Sequence, residues 1–288
     1  MIDISNGGIV QMQLWCTEKQ TESLGLTARV KETLFTGTSE FQDVAIVDSF
    51  QFGRMLVLDG VFQTSIFDEF VYHEMIAHIP LYIHPNPKHV LVIGGGDGGT
   101  IREVVKHDSV EIAEMVEIDG MVVDACKKYL PEISAALNDN NPKVHLKIGD
   151  GIQHMKDAEN KYDVIIVDCS DPIGPGEGLF THDFYKDVFK ALKSDGLFVQ
   201  QTESPYYHQE LIKRLHKDIQ SLFPITNMYL ANIPLYPGGL HCFTIGSKKH
   251  DPAAVDMSNR QKLVTRYHNA ELQKSCFVLP NFVQELIK

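Results

Sequence analysis

The sequence predicts an α/β protein: a Rossmann-like, doubly wound, mostly parallel sheet with a small N-terminal β domain. Three observations carry that expectation. Residues 90–93 are a short apolar run that opens directly into Gly94-Gly95-Gly96-Asp97-Gly98-Gly99, with helical spacing over 100–107 and a second strand-like run over 111–118. Strand-like and helix-like segments then alternate as far as residue 246, the pattern of a parallel sheet with helices on its faces. Before residue 65 the pattern differs: short β segments are separated by Gly- and Ser-containing turns.

Taken in order, 27–36, 43–48 and 54–58 read as strands, and Asp59-Gly60 as the turn of a hairpin joining Leu58 to Val61. Trp15, the only tryptophan, reads as a core or interface residue rather than a ligand contact. Asp68 is placed to cap a helix over 68–83, with Phe70, Met75, Ile76 and Ile79 on its apolar side. Tyr72, His73 and Glu74 fan out over different faces of that helix. His84-Pro85-Asn86-Pro87 then breaks the chain. The expected division is a β-strand domain over 1–65 and a Rossmann-like catalytic domain over 66–288, with helix 68–83 and linker 84–87 leading into it.

Beyond the glycine-rich unit, a helix is expected over 120–130, stopped by Pro131, and strands over 144–148 and 162–167. The first of these strands closes with Gly149-Asp150-Gly151 and the second with Asp168-Cys169-Ser170-Asp171-Pro172. A Gly- and Pro-rich loop spans 173–180. A helix over 182–192, a strand over 196–201 and a long amphipathic helix over 206–223 follow. Strands over 226–231 and 242–246 and a short helical tail complete the reading.

Composition narrows the function. A hydrophobic content of 43% fills a sizeable core in 288 residues. The net charge of −12 argues against a nucleic-acid surface and agrees with a cationic substrate. The cysteines are odd in number and scattered, with no C-x-x-C pair, so neither a disulfide framework nor a zinc site is indicated. Free thiols suit a reducing compartment. No leader and no membrane-length apolar run is read, and a cytoplasmic location is expected.

The chemistry concentrates at strand ends. Gly94, Gly96 and Gly99 match G-x-G-x-x-G after a strand and before a helix, and Glu117 follows the second strand where a carboxylate accepts from ribose hydroxyls. Asp97 lies inside that loop. A carboxylate there repels phosphate and attracts a cation, so the loop suits a phosphate-free adenosine ligand with a positive tail, such as a sulfonium nucleoside, rather than NAD or ATP. Asp97, Glu117, Asp150, Asp168, Asp171 and Gln201 all fall at carboxyl ends of strands, where such sheets bind ligands. Five of the six are acids with no Lys or Arg among them, so the array requires cations. A hard metal draws its oxygen ligands from one compact cluster. The spread of these acids along the sheet edge favours an extended organic polycation.

These residues closely resemble the polyamine aminopropyltransferases, the family of the spermidine synthases. The resemblance rests on GGGDGG at 94–99, VEID at 116–119, GDG at 149–151, DCSDPIGP at 168–175, QQTE at 200–203 and LYPGG at 235–239. LDGVFQ at 58–63 and YHEM at 72–75 match upstream, and order and spacing fit from about residue 10 to 250. The resemblance implies a homodimer or homotetramer. It implies transfer of the aminopropyl group of decarboxylated S-adenosylmethionine to putrescine, giving spermidine and methylthioadenosine, with no metal and no further cofactor. It assigns Gln42, Gly94, Gly96, Glu117, Asp150, Gly151 and Pro175 to the nucleoside, and Asp97 to the aminopropyl ammonium. Asp168 becomes the proton acceptor, Tyr72 and Tyr236 orient the attacking amine, and His73, Cys169, Ser170, Asp171 and Gln201 meet the polyamine. Gly120 and His241-Cys242 depart from the family pattern, the latter near the polyamine end, where cadaverine is the competing acceptor. No acid is assigned beyond Asp171, so putrescine is expected in preference to spermidine.

Two other classes compete. An S-adenosylmethionine-dependent methyltransferase shares the sheet, the glycine loop and the ribose acid, but Asp97 and the Asp168/Asp171 pair count against it. A protein that senses polyamines or nucleosides without chemistry would not need an intact base position. Cys169 reads as a small spacer rather than a nucleophile, since no histidine lies nearby in its motif.

Overall fold

The computed structural model describes residues 12–172 and 174–288. The N-terminal β segments form an antiparallel five-stranded meander: β1 (Leu14–Lys19), β2 (Gly25–Thr38), β3 (Asp43–Ser49), β4 (Gly53–Leu58) and β5 (Val61–Ser65), in that spatial order. The β4–β5 hairpin turns at Asp59 (φ 50°) and Gly60 (φ 83°), the paired left-handed residues that a tight two-residue hairpin requires. β1 was not anticipated as a separate strand. Glu18 is its only buried residue, so no apolar alternation marks it. Trp15 on β1 is 53% exposed and belongs to no core.

Helix α1 (Glu69–Ile83) is buried continuously from Val71 to Ile83, as a helix wedged between layers must be. Asp68 occupies its N-cap position but makes no side-chain cap. Its carboxylate instead accepts from Ser65 Oγ (2.5 Å) and from the buried N–H of Leu235 (2.7 Å), tying the start of α1 to the loop between the last two strands. That buried N–H outcompetes the helix for the carboxylate because an unpaired buried donor is costly.

The second sheet contains β6 (His89–Gly94), β7 (Ile112–Glu117), β8 (Val144–Ile148), β9 (Tyr162–Asp168), β10 (Leu192–Gln201), β11 (Ile225–Asn232) and β12 (Leu240–Ser247). Its order is β11-β12-β10-β9-β6-β7-β8, parallel except that β12 runs against both its neighbours. Residues of β6 alternate between two cores. Val90 and Val92 pack with Met75, Ile76 and Ile79 of α1, whereas Leu91 and Ile93 pack with Phe184, Tyr185 and Val188. The surrounding helices are α2 (Gly99–Val104), α3 (Gly120–Tyr129), α4 (Ala135–Asn138), α5 (Gly151–Asp157), α6 (His182–Ala191), α7 (Gln209–Gln220), α8 (Ala270–Ser275) and α9 (Asn281–Gln284). Val44 and Ile46 of β3 pack on Val122, Ala125 and Cys126 of α3, which joins the meander to the flank of the sheet.

One expectation needs correction. The helix expected over 206–223 is only α7, because a turn at 205–208, closed by the His208 N–H to Ser204 O bond, brings the His208 ring within 3.2 Å of Glu203. Residues after Asp150, given no element by the sequence reading, form α5, with the Asp150 carboxylate capping it. Among the described residues no helix is long and apolar enough to cross a membrane.

Glu74, at the middle of α1, is buried and accepts from the N–H groups of Arg266, Tyr267 and His268, each at 2.8 Å. It therefore pins the C-terminal segment to the helix. Glu74→Gln turns one acceptor oxygen into a donor facing these N–H groups, and should cost roughly 2–4 kcal/mol of stability. A urea midpoint indistinguishable from that of the parent would refute this.

Candidate active site

The chain runs from β6 outward through β7 to β8, then returns to β9 on the other side of β6, so the topological switch point lies between β6 and β9. At that point Gly94 pairs in register with Asp168. Gly94 has φ 79°, and a Cβ there would lie 2.1 Å from the Asp168 carbonyl oxygen. Glycine is thus required twice over, by conformation and by space. The same carbonyl accepts from the Gly95 N–H at 2.8 Å, which draws the glycine loop onto the end of β9.

Asp168 faces the cleft that opens there. Oδ1 accepts from Tyr72 OH (2.8 Å) and Oδ2 from Thr100 Oγ1 (2.6 Å). Burial, reinforced by the Asp97 charge, raises its proton affinity above that of an ordinary aspartate, against the opposing pull of His73. Asp97 accepts from the Gly99 N–H (2.8 Å) through Oδ1, and its Oδ2 lies 3.2 Å from His73 Nε2. The other ring nitrogen of His73 lies 2.6 Å from Glu69 Oε2, and Glu69 in turn accepts from Arg102 Nη2 (2.7 Å). Burial opposes a charged His73, but Asp97 and Glu69 outweigh it and raise the ring to about 10. The acid array thus contains a cation of its own, which a search for Lys and Arg overlooked. Gly99 is what admits it, since a Cβ at Gly99 would strike the His73 ring at 2.2 Å. With both nitrogens engaged, His73 has no free hydrogen-bonding atom for an amine.

The larger part of the cleft is lined by Gln42, Gly94, Gly96, Asp97, Glu117, Asp150 and Gly151, with Val116, Ile118, Val122, Ile152 and Leu179 as apolar wall. Its empty volume, mouth included, is about 1080 Å³, enough for a cofactor-sized ligand. Glu117 ends β7 and lies beside Gly96, and one of its oxygens accepts from the Asp119 N–H (2.8 Å). Burial, with the charges of Asp119 and Asp168, pushes its carboxyl up to about 7. Gln42 reaches in from the meander while its amide donates to Asp119 Oδ2 (3.0 Å). Asp150 spends Oδ1 on the Ile152 N–H (2.7 Å). The Pro175 side chain, expected at the adenine, lies outside the described residues.

A second cavity adjoins the first across Tyr72, Cys169, Ser170 and Tyr236, which line both. It continues past Asp171, Gln201 and His241 to Glu18 and Glu203. The Tyr72 and Tyr236 rings meet edge to face at 6.0 Å, and Tyr236 OH donates to Gln63 O (3.0 Å). Gln201 serves as a strut: its amide donates to Cys169 O (3.1 Å), and its oxygen meets the Glu203 N–H (3.0 Å) and His241 Nε2 (2.8 Å). Glu18 and Glu203 are the acids that sequence reasoning missed. Glu203 stood within QQTE, and its left-handed backbone (φ 73°), rare for a non-glycine residue, marks it only in three dimensions. Burial pushes Glu18 and Asp171 each up to about 7. Burial opposes a charged Glu203, but the His208 ring beside it holds its carboxyl below the ordinary glutamate range. The absence of acids beyond Asp171, from which a preference for the shorter amine was argued, does not hold.

A glycine loop carrying a carboxylate at a switch point, a buried acid at the end of β7 and an acid-ended side cavity are the marks of an α/β transferase-type site. The comparisons agree. Residues 69–259 match the spermine/spermidine synthase domain, and 14–65 the spermidine synthase tetramerisation domain. The chain is 56% identical over 280 residues to a polyamine aminopropyltransferase of Caldicellulosiruptor bescii, covering 97% of this chain and 100% of that one. It is 52% identical over 277 residues to the polyamine aminopropyltransferase of Shouchella clausii, covering 96% and 100%. Among solved structures it resembles a spermidine synthase in complex with the transition-state analogue AdoDATO (TM-score 0.89, 41% identity, covering 95% and 94%). It also resembles the spermidine synthase of Thermotoga maritima (TM-score 0.88, 40% identity, covering 95% and 94%). The chain belongs to the spermidine synthase family of polyamine aminopropyltransferases and is an enzyme of that class. The methyltransferase and non-catalytic readings are thereby set aside.

The raised carboxyl of Glu117 has a consequence for stability. A group with a folded value of about 7 and an ordinary value of 4.5 stabilises the folded state fully below 4.5 and loses that contribution as pH rises through 7. Urea midpoints of the ligand-free protein should therefore fall less steeply from about pH 5 to 8 in Glu117→Gln than in the parent. Parallel curves would mean that Glu117 is not held protonated.

Proposed function

We propose that this aminopropyltransferase is a spermidine synthase: it transfers the aminopropyl group of decarboxylated S-adenosylmethionine to putrescine, giving spermidine and methylthioadenosine. The observation that carries the reading is a partly buried carboxylate of raised proton affinity, Asp168, bonded to the tyrosine that walls both cavities. In this reading the nucleoside occupies the larger part of the cleft. Glu117 and Asp150 meet its ribose and adenine, with Gln42, Gly94, Gly96 and Gly151 around them. Asp97 holds the aminopropyl ammonium, and His73 acts through Asp97 by fixing its second oxygen and moderating its charge.

The reaction needs a base and alignment. The acceptor nitrogen gives its proton to Asp168 and attacks the carbon bonded to sulfur. A C–N bond forms, the C–S bond breaks, and its electron pair stays on sulfur, so the sulfonium leaves as a neutral thioether and needs no acid. Tyr72 holds Asp168 in place and, with Tyr236, flanks the amine. The second ammonium of putrescine goes to the far cavity, where Asp171, Glu18 and Glu203 supply the negative charge and Cys169, Ser170 and Gln201 the walls. Catalysis here combines positioning with proton transfer.

Assembly follows from the meander. Leu14, Trp15, Leu24 and Phe50 are exposed hydrophobics on or beside its strands, and the stretch matches a tetramerisation domain. We read it as the contact of a homodimer or homotetramer. All five cysteines are free, in keeping with a reducing cytoplasm.

Asp168→Asn should retain methylthioadenosine binding by calorimetry yet lose on the order of hundredfold or more in kcat. Near-normal turnover would remove Asp168 from the base role. Purified enzyme given decarboxylated S-adenosylmethionine with putrescine, cadaverine, agmatine or spermidine tests the acceptor. Putrescine should show the highest kcat/KM, and a higher value for any of the other three would overturn the assignment to spermidine synthesis.

A further inference from the structure

The sheet has a second cluster of chemistry-bearing side chains, at the end opposite the cleft. His84 caps the C-terminus of α1, Asp195 lies in the irregular opening of β10, and His250 follows β12. Three segments far apart in sequence thus converge. Asp195 Oδ1 lies 3.9 Å from His84 Nε2, and Oδ2 lies 3.5 Å from His250 Nε2. One nitrogen or oxygen from each residue falls within 4.8 Å of the other two. The imidazole rings stand nearly perpendicular, 77° apart, with centroids separated by 5.1 Å.

Neither of those two nitrogens has a hydrogen-bond partner, although both atoms are buried, and His84 is only 3% exposed. Two unpartnered buried imidazole nitrogens beside one carboxylate are an expense the fold does not need for packing. Their spacing is informative. Four ligands around zinc at ~2.0–2.1 Å, disposed tetrahedrally, stand about 3.3–3.4 Å apart. The two His–Asp separations, each to a different Asp195 oxygen, exceed that by a fraction of an ångström, and the three donor atoms, which lie within 4.8 Å of one another, draw together on a bound ion. Charge agrees too: nearby Asp163 is matched by Lys193 (2.9 Å), whereas Asp195 has no Lys or Arg partner among the described residues.

We propose that His84, Asp195 and His250 form a structural metal site for a borderline divalent transition ion, zinc first, with water as the fourth ligand. The donor set of two imidazoles and one carboxylate suits such ions better than calcium or magnesium, which take oxygen. The ion clasps the C-terminal end of α1 to β10 and β12. It takes no part in the chemistry at Asp168, which ends β9 at the opposite edge. One local bond must yield. The Asn86 N–H donates to His84 Nδ1 (3.2 Å), so without an ion the proton sits on Nε2. Ligation through Nε2 requires the other neutral tautomer, with the proton on Nδ1, so the exposed Asn86 N–H turns to solvent when the ion binds.

The test uses the full chain, stripped with chelator and titrated with zinc chloride by calorimetry, beside Asp195→Asn and His250→Gln. Both substitutions fall on partly exposed side chains, and circular dichroism checks that the variants fold. The parent should bind about one zinc ion per chain, and each variant should bind it about tenfold more weakly or worse. Zinc should raise the thermal midpoint of the parent and not of the variants, while turnover is the same in all three with or without chelator. Failure of the parent to bind zinc would overturn the proposal. So would binding undiminished in both variants, which would place the ion among the cleft acids.

Discussion

The close approach of β6 to β9 at Gly94 and Asp168 is the constraint on which the rest of the site depends. A side chain at Gly94 would occupy the space of the Asp168 carbonyl, and without that contact the glycine loop would not lie against the strand end. The approach brings Asp97 close enough to Asp168 for its charge to raise the proton affinity of the second acid. Two carboxylates so placed repel each other. The molecule meets that repulsion from one side, with a charged His73 held between Asp97 and Glu69, and Arg102 beyond. Asp168 receives only hydroxyl donors, Tyr72 and Thr100. Neutral donors orient a carboxylate without making it a weak base. The asymmetry matters: Asp97 is matched by a cation, and Asp168 is left free to take a proton.

Helix α1 distributes these tasks. Tyr72, His73 and Glu74 are consecutive, and the 100° step of a helix sends them to three destinations: the cleft, the Asp97 carboxylate and the C-terminal segment. Asp68, one residue before the helix, holds the Leu235 N–H, and Tyr236 follows next in that loop. Tyr72 and Tyr236 therefore owe their mutual placement to one buried hydrogen bond as well as to their rings. The helix is buried from Val71 onward, so none of these three side chains has room to reorient independently.

Much of this was legible in the sequence because its causes are local. The run 90–93 followed by glycines, the YDVIIV strand ending in Asp168 and the Asp59-Gly60 hairpin each carry their own signal within a few residues. What was missed is relational. Asp68 has the right residue type and position for a cap, but a backbone N–H 167 positions away claims it. His73 looked like a contact for an amine, and only the neighbouring Asp97 and Glu69 reveal it as a cation. Glu18 sits on a strand with no alternation, and its burial depends on the Phe62 N–H it accepts from across the meander. Glu203 is turned into the cavity by a left-handed backbone that QQTE does not announce. Gln201, read as a polyamine contact, has its amide committed to Cys169, Glu203 and His241.

The far cavity explains how so many acids coexist at its end. Glu18 and Asp171 are both driven by burial toward the neutral form, and Glu203 remains the anion because His208 stands beside it. The ligand-free site thus holds protons more readily than isolated aspartates and glutamates do. In the proposed reaction an arriving ammonium replaces such a proton as the counter-charge, and the acid that loses it becomes the partner of the amine. Affinity then arises from an exchange of cations rather than from leaving charges bare in advance. The same logic applies to Glu117, where hydroxyl donors from a ribose would favour the anion that burial disfavours. In the proposed reaction Asp168, at the boundary of the two cavities, is the group that accepts a proton during the chemistry itself.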